Sequence, residues 1–190
     1  MRRLVTDNLL SLDGYASGPN DEIDWFGFDE ESLEWSRNLL RGAGSIVMGR
    51  RTYELFLQYW PTPRARQDEP IIAGRLTELP KLVFSRTLTT SNWENTRFVP
   101  RPAADVIREE KKGSGDYILF LGSASLLASL WKEQLVDELD VRIQPIVLGM
   151  GRPLFPVVET RQRLALKESR MFKSGVAALR YEVLPASSPA

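Results

Sequence analysis

The stretch Ser45-Ile-Val-Met-Gly-Arg-Arg-Thr-Tyr-Glu54 decides the fold. Ser45 to Met48 reads as a short buried strand, and Tyr53, Phe56, Leu57 and Trp60 recur at helical spacing just beyond it, with Thr52 as the expected cap. Between strand and helix lie Gly49, Arg50 and Arg51. A strand that runs straight into a helix is half of an α/β unit, and its junction places unpaired N–H groups beside a hydroxyl and two cations. That combination suits a phosphate or pyrophosphate.

Two further junctions resemble the first. Lys81 to Ser85 reads as a strand ending in Ser85-Arg86. Asp116 to Leu121 is a continuous apolar run of the kind buried on both faces, and Gly122-Ser123-Ala124-Ser125 leads from it into a helix carrying Leu126, Leu127, Leu130 and Trp131. Each motif alone has an ordinary explanation: solvated arginines, a capping threonine, a glycine needed for packing. Gly122 to Ser125 also lacks the full glycine-rich dinucleotide pattern. Their coincidence carries the reading, because ligands of such sheets sit beyond the carboxyl ends of parallel strands. Two helix starts with Arg50, Arg51 and Arg86 suit two separated phosphate groups. This favours NADP(H) over NAD(H), whose ribose 2′-hydroxyl calls for an acidic partner.

Outward from these junctions, residues 2 to 12 form an expected first strand that ends at Asp13-Gly14. A long loop follows, with Trp25, Phe26 and Phe28 read as core plugs ahead of a pocket wall. Asp29 caps an expected helix whose Leu33, Ser36, Leu39 and Leu40 share a face, with Gly42 and Gly44 ending it. Residues 61 to 75 read as a polar, proline-bearing surface excursion. Thr96 to Val99 is a candidate strand and Ala103 to Lys112 a surface helix with Val106 and Ile107 inward. Leu139, Val141 and Ile143 alternate with Asp140, Arg142 and Gln144, which predicts a half-exposed strand continuing to Leu148. Leu164 to Phe172 and Val176 to Leu184 flank Gly175 as a hairpin. The sheet is therefore expected to be mixed and mainly parallel, with an antiparallel finish and helices on both faces.

A chain of 190 residues suits one domain, expected over residues 1 to 185, with 186 to 190 as a flexible tail. Lysine plus arginine (25) balances aspartate plus glutamate (25), so no overall field favours nucleic acid or an acidic membrane. No apolar run approaches the roughly 20 residues of a membrane span, and the N-terminus lacks the apolar core of a signal peptide. Cytoplasm is the expected location. With no histidine and no cysteine, disulfides, thiolate nucleophiles, imidazole bases and the usual zinc sites are excluded, and no metal is expected. Carboxylates, hydroxyls, lysines, tyrosines or a cofactor must do any chemistry.

In order along the chain, Ser11-Leu-Asp-Gly14, Met48-Gly-Arg-Arg-Thr-Tyr-Glu54, Leu82-Val-Phe-Ser-Arg86, Phe120-Leu-Gly-Ser-Ala124, Leu135-Val-Asp-Glu-Leu139 and Pro145-Ile-Val-Leu-Gly149 resemble the dihydrofolate reductase superfamily. The branch it resembles contains the reductase domain of riboflavin biosynthesis, and the resemblance spans about residues 3 to 183. It implies a three-layer α/β/α domain that binds NADPH. Gly49, Arg50, Arg51 and Thr52 would hold the pyrophosphate and adenosine 2′-phosphate, with Ser85 and Arg86 beside the latter. Gly122, Ser123, Ala124 and Ser125 would take the pyrophosphate, and the loop with Asp13 and Ala16 would cover the nicotinamide. The zinc deaminase half of the bifunctional riboflavin enzyme has no counterpart here. The carboxylate that anchors pterin in true dihydrofolate reductases has no unambiguous match among Glu30, Glu31 and Glu34.

The expected activity is NADPH-dependent hydride transfer to a small pterin- or pyrimidine-type substrate, similar to the 5-amino-6-(5-phosphoribosylamino)uracil reductase. Asp13, Asp24 and Trp25 are the expected substrate neighbours and Asp13 a candidate proton relay, weighed against a turn-forming aspartate. The alternative is a non-catalytic NADP-binding or sensing module. A homodimer is expected from the resemblance.

Overall fold

The computed structural model describes residues 1–155 and 161–185; the tail at 186 to 190 lies outside them. The elements run β1 (Leu4–Leu10), β2 (Tyr15–Ser17), α1 (Glu30–Arg41), β3 (Ala43–Gly49), α2 (Arg50–Leu57), α3 (Pro63–Asp68), α4 (Pro70–Glu78), β4 (Lys81–Phe84), β5 (Thr96–Val99), α5 (Ala103–Lys111), β6 (Tyr117–Leu121), α6 (Ala124–Lys132), β7 (Glu138–Ile143), β8 (Arg152–Pro153), β9 (Leu164–Met171) and β10 (Ala177–Val183). Eight strands form one sheet in the order β5-β4-β3-β6-β1-β7-β10-β9, and β2 pairs with β8 separately. Every pair from β5 to β7 is parallel; β10 runs antiparallel to both its neighbours. The mixed, mainly parallel sheet with a C-terminal hairpin is as the sequence predicts.

The β1 to β5 half of the chain crosses on one face through α1, α2, α3 and α4. The return through α5 and α6 covers the other. Two apolar clusters result: Trp35, Leu39, Ile46, Met48, Ile72 and Leu119 on the first side, and Val47, Ile107, Ile118, Phe120, Leu127 and Leu130 on the second. β6 explains the division. Its alternate side chains feed opposite clusters and Ile118 to Phe120 are fully buried, the pattern of a central parallel strand.

Four expectations need correction. Thr52 does not cap α2: Gly49 holds the N-cap position in extended backbone, with no side-chain cap, so the first-turn N–H groups stay available. Residues 61 to 75 are no loop excursion, because Pro63 and Pro70 open α3 and α4, where a missing N–H costs nothing. Ile72, Ala73 and Leu76 of α4 are core. Trp25 and Phe26 are half-buried and Phe28 is exposed; these rings meet edge to face in sequence rather than plug the core. Finally, β7 stops at Ile143 and its polar side is not solvated: Asp140, Arg142 and Gln144 are 0%, 1% and 2% exposed.

α1 starts where expected, with the Asp29 carboxylate accepting from the Ser32 N–H at 2.7 Å. The hairpin turn places Gly175 at φ +89°, in the left-handed region that a side chain disfavours.

Candidate functional site

The three motif-bearing strands β4, β3 and β6 are adjacent, so their carboxyl ends open on one edge. Gly49 and Gly122 bring two of the turns into contact. A Cβ on Gly49 would lie 3.1 Å from the Ser123 hydroxyl, and one on Gly122, at φ +57°, would lie 2.9 Å from the Thr52 hydroxyl. The Gly122–Ser123 peptide bond is cis. α6 begins immediately beyond it, with the Ser123 hydroxyl accepting from Leu126 N–H at 3.4 Å and lying 3.1 Å from the Ser125 hydroxyl. Two helix starts, at Arg50 and Ala124, thus face the same space.

The structure separates the two arginines. Arg50 pairs with Glu54 at 2.7 Å and donates to the Thr87 hydroxyl at 2.9 Å, which draws it to the Ser85–Arg86 turn. Arg51 points the other way, to Asp21 at 3.0 Å, and Arg152 grips the same carboxylate. The buried Ser85 hydroxyl accepts from the Thr87 and Leu88 N–H groups, leaving its own proton to donate. Arg86 is exposed and has no hydrogen bond or ion pair with the described residues. It borders a cleft of about 320 Å³ between the ends of β4 and β5 and the starts of α5 and α6, with Phe84, Val99, Pro102 and Leu126 as apolar lining. Ser85 and Arg86 add polar groups to this lining on the β4 side.

The loop after β1 is fixed by Asp13. Its carboxylate accepts from Gly149 N–H at 2.8 Å and Leu148 N–H at 3.2 Å. The Ser11 hydroxyl foremost, then these N–H groups, hold its pKa below the ordinary value. A carboxyl kept ionised in this way serves as a turn anchor and is unsuited to donating a proton at neutral pH. Ala16 lies in β2, paired to β8 and packed against the second apolar cluster. Asp24 is exposed, and Trp25 donates from Nε1 to the Glu22 carbonyl at 3.2 Å. Asp24 and Trp25 are thus neighbours on the loop before α1, and neither lines the cleft beside Arg86.

Behind this edge, between β1, β7, β10 and α1, lies a polar core. Arg142 binds both oxygens of Asp7, at 2.8 and 2.9 Å, and reaches the Ser32 carbonyl and the Ser32 and Ser36 hydroxyls of α1. One row along, Asp140 accepts from Trp35 Nε1 at 2.9 Å and Arg180 Nε at 3.0 Å. Burial first, and then the neighbouring Asp7 carboxylate, push the Asp140 pKa upward. Asp7 pairs in register with Leu121, the last residue of β6, so this network stands level with the glycine turn.

Residues 2–178 match the family described as the RibD C-terminal domain. The chain belongs to the RibD C-terminal domain family. The uncharacterized protein YyaP of Bacillus subtilis (strain 168) is 32% identical over 180 residues, covering 95% of this chain and 94% of that protein. A solved protein from Shewanella sp. PV-4 shares the fold with a TM-score of 0.73 at 22% identity, over 96% of this chain and 99% of its own. The deaminase/reductase of Thermotoga maritima, named for 5-amino-6-(5-phosphoribosylamino)uracil, matches 96% of this chain but 57% of its own length, with a TM-score of 0.68 at 13% identity.

In this RibD C-terminal domain, sequence reading missed the buried Asp7–Arg142 pair, Asp140 and the buried Gln144 beyond them. Two signals were available. Ser36 falls within the apolar stripe of α1, where a hydroxyl facing the sheet needs a partner. The Asp140-Arg142-Gln144 alternation reads equally as a solvated face or a buried network until the strand is known to be internal.

Proposed function

We propose that the chain is an NADPH-dependent reductase that passes hydride to a small planar heterocycle of the pterin or pyrimidine type, akin to the uracil reductase of riboflavin biosynthesis. The observation that carries this is the convergence of three phosphate-suited turns on one sheet edge, with Arg50 bonded across to the Ser85–Thr87 turn. NADPH, when bound, supplies the hydride. The chain's residues supply position. Gly49 and Gly122 keep side chains away from the pyrophosphate, and the uncapped N–H groups of α2 with those of α6 (Ser123, Ala124, Ser125) receive its charge.

Arg86, Arg50 and the Ser85 hydroxyl hold the 2′-phosphate, and the apolar cleft beside them takes the adenine. Arg51 and Thr52 complete the pyrophosphate side once Arg51 leaves Asp21. Asp13 keeps the Leu148–Gly149 turn under the segment with Ala16, and Asp24 and Trp25 border the substrate space. The exposed edge of β9 offers a surface for a second copy, giving a homodimer in the cytoplasm.

One observation favours the second reading, a non-catalytic NADP-binding module: Asp13 is a poor proton donor. Stopped assays of NADPH oxidation with pterin and pyrimidine substrates separate the two. Replacing Arg50 and Arg86 by alanine is expected to weaken NADPH at least tenfold while leaving NADH nearly unchanged. Equal loss for both nucleotides refutes the 2′-phosphate assignment.

A further inference from the structure

Among the described residues, two buried side-chain nitrogens have no acceptor within the protein: Arg142 Nε and Gln144 Nε2. They lie two residues apart on the same side of one strand, β7 and its extension. An unpaired buried donor is costly, and two of them two residues apart, on a strand where the buried Asp140 side chain is fully partnered, ask for a purpose. The Gln144 amide cannot turn round to hide its donor. Its Oε1 already accepts from Gly27 N–H at 3.2 Å, which fixes the NH2 end.

The surroundings share this bias toward donors. Both Asp7 oxygens are engaged by Arg142, and Asp140, in register with Asp7, accepts from Trp35 and Arg180, so both carboxylates at the level of the glycine turn already hold donors. Ser36, half-buried on α1, accepts from Arg142 and keeps its hydroxyl proton to give. Leu9 is next to Arg142 across the β1–β7 pair and is only half-buried, although β1 is internal to the sheet, so space remains above it. Leu33, next to Ser32 on α1, is likewise half-buried against the first cluster and offers an apolar surface on the same helix. Because the Arg142 charge is matched by Asp7, the missing partner is a neutral acceptor rather than an anion.

We propose that Arg142 and Gln144 are the substrate-reading residues of the chain, giving their free N–H groups to two acceptor oxygens of a planar ring and so selecting a ring dione over the corresponding diamine. This rests on the reductase reading and places the substrate on the α1 side of the glycine turn, where Asp7 and Arg142 stand level with Leu121. Neither residue moves a proton or an electron; each positions and discriminates. Discrimination by buried hydrogen-bonding groups is strong because the wrong ligand leaves them unpaired.

The test uses uracil and 2,4-diaminopyrimidine as probes, titrated by NMR into the whole protein with and without NADPH, at a pH where the diamine is uncharged. Uracil is expected to bind at least tenfold tighter. Gln144→Glu keeps the oxygen that accepts from Gly27 but replaces the donor by an acceptor; uracil affinity should fall at least tenfold and the diamine should gain. Arg142→Lys keeps a cation beside Asp7 and removes Nε, and should weaken uracil alone. Thermal melts report folding, and if the lysine variant does not fold, the glutamate variant decides.

Equal affinity for the two probes, binding of neither, or a Gln144→Glu change within twofold overturns the assignment and leaves both nitrogens to internal water. NADPH titrated into the same samples distinguishes the failures. Uracil selectivity without NADPH binding refutes the cofactor reading only, whereas NADPH binding without uracil selectivity refutes this inference only.

Discussion

Gly122→Ala tests the contact between the two turns. Gly122 sits at φ +57°, where a residue bearing a Cβ is disfavoured by about 1 kcal/mol or somewhat more. The added methyl would also stand 2.9 Å from the Thr52 hydroxyl and 3.2 Å from its methyl. Both are short of van der Waals separation, and overpacking of this kind costs ~1–3 kcal/mol. The sum is about 2–4 kcal/mol. Thr52→Ala removes both offending atoms, so the double variant should retain only the backbone part, about 1 kcal/mol beyond Thr52→Ala.

Urea unfolding of the four proteins gives the coupling directly, expected at about 1–3 kcal/mol in favour of the double variant. In a thermal scan the single Gly122→Ala change should lower Tm by about 4–16 °C. Additivity of the two changes within about 0.5 kcal/mol would refute the claim that the β3 and β6 turns touch through these residues.

Other perturbations have comparable readouts. Asp29→Ala removes the α1 cap and should cost about 1 kcal/mol at pH 7. The Ser174 hydroxyl first, and then Ser32 N–H, lower the Asp29 pKa in the folded state. Its contribution is therefore present above the ordinary value near 4 and lost as the pH falls through the folded value, so wild type and variant should converge in acid. Asp7→Ala strands the Arg142 guanidinium, whose side chain is 2% exposed, and should cost about 3–5 kcal/mol by urea unfolding. Pairing it with Arg142→Met should recover most of that loss. A double variant no more stable than Asp7→Ala alone would contradict a network held mainly by this pair.

Local patterns made much of the fold legible. The strand-to-helix junctions at Gly49 and Gly122, the Asp29 cap and the Gly175 turn each announce themselves within a few residues, because backbone geometry there depends on near neighbours. The polar side of β7 did not. Whether Asp140, Arg142 and Gln144 meet water depends on β10 and α1, elements more than thirty residues away, and alternation looks alike in both cases. α3 and α4 were obscured because proline suggests a break, yet at a first helical position it is compatible with a start. Of the site, Arg50 and the Ser85–Arg86 turn come together as sequence order suggested, while Arg51 is taken by Asp21.

A crystal of the protein grown with NADP+ tests the central claim most directly. The pyrophosphate should lie within about 3.2 Å of N–H groups at the starts of α2 and α6. The 2′-phosphate should lie against Arg86 and Arg50, with the adenine in the cleft beside Leu126. A nucleotide bound elsewhere, or an edge left empty at saturating NADP+, would contradict the account.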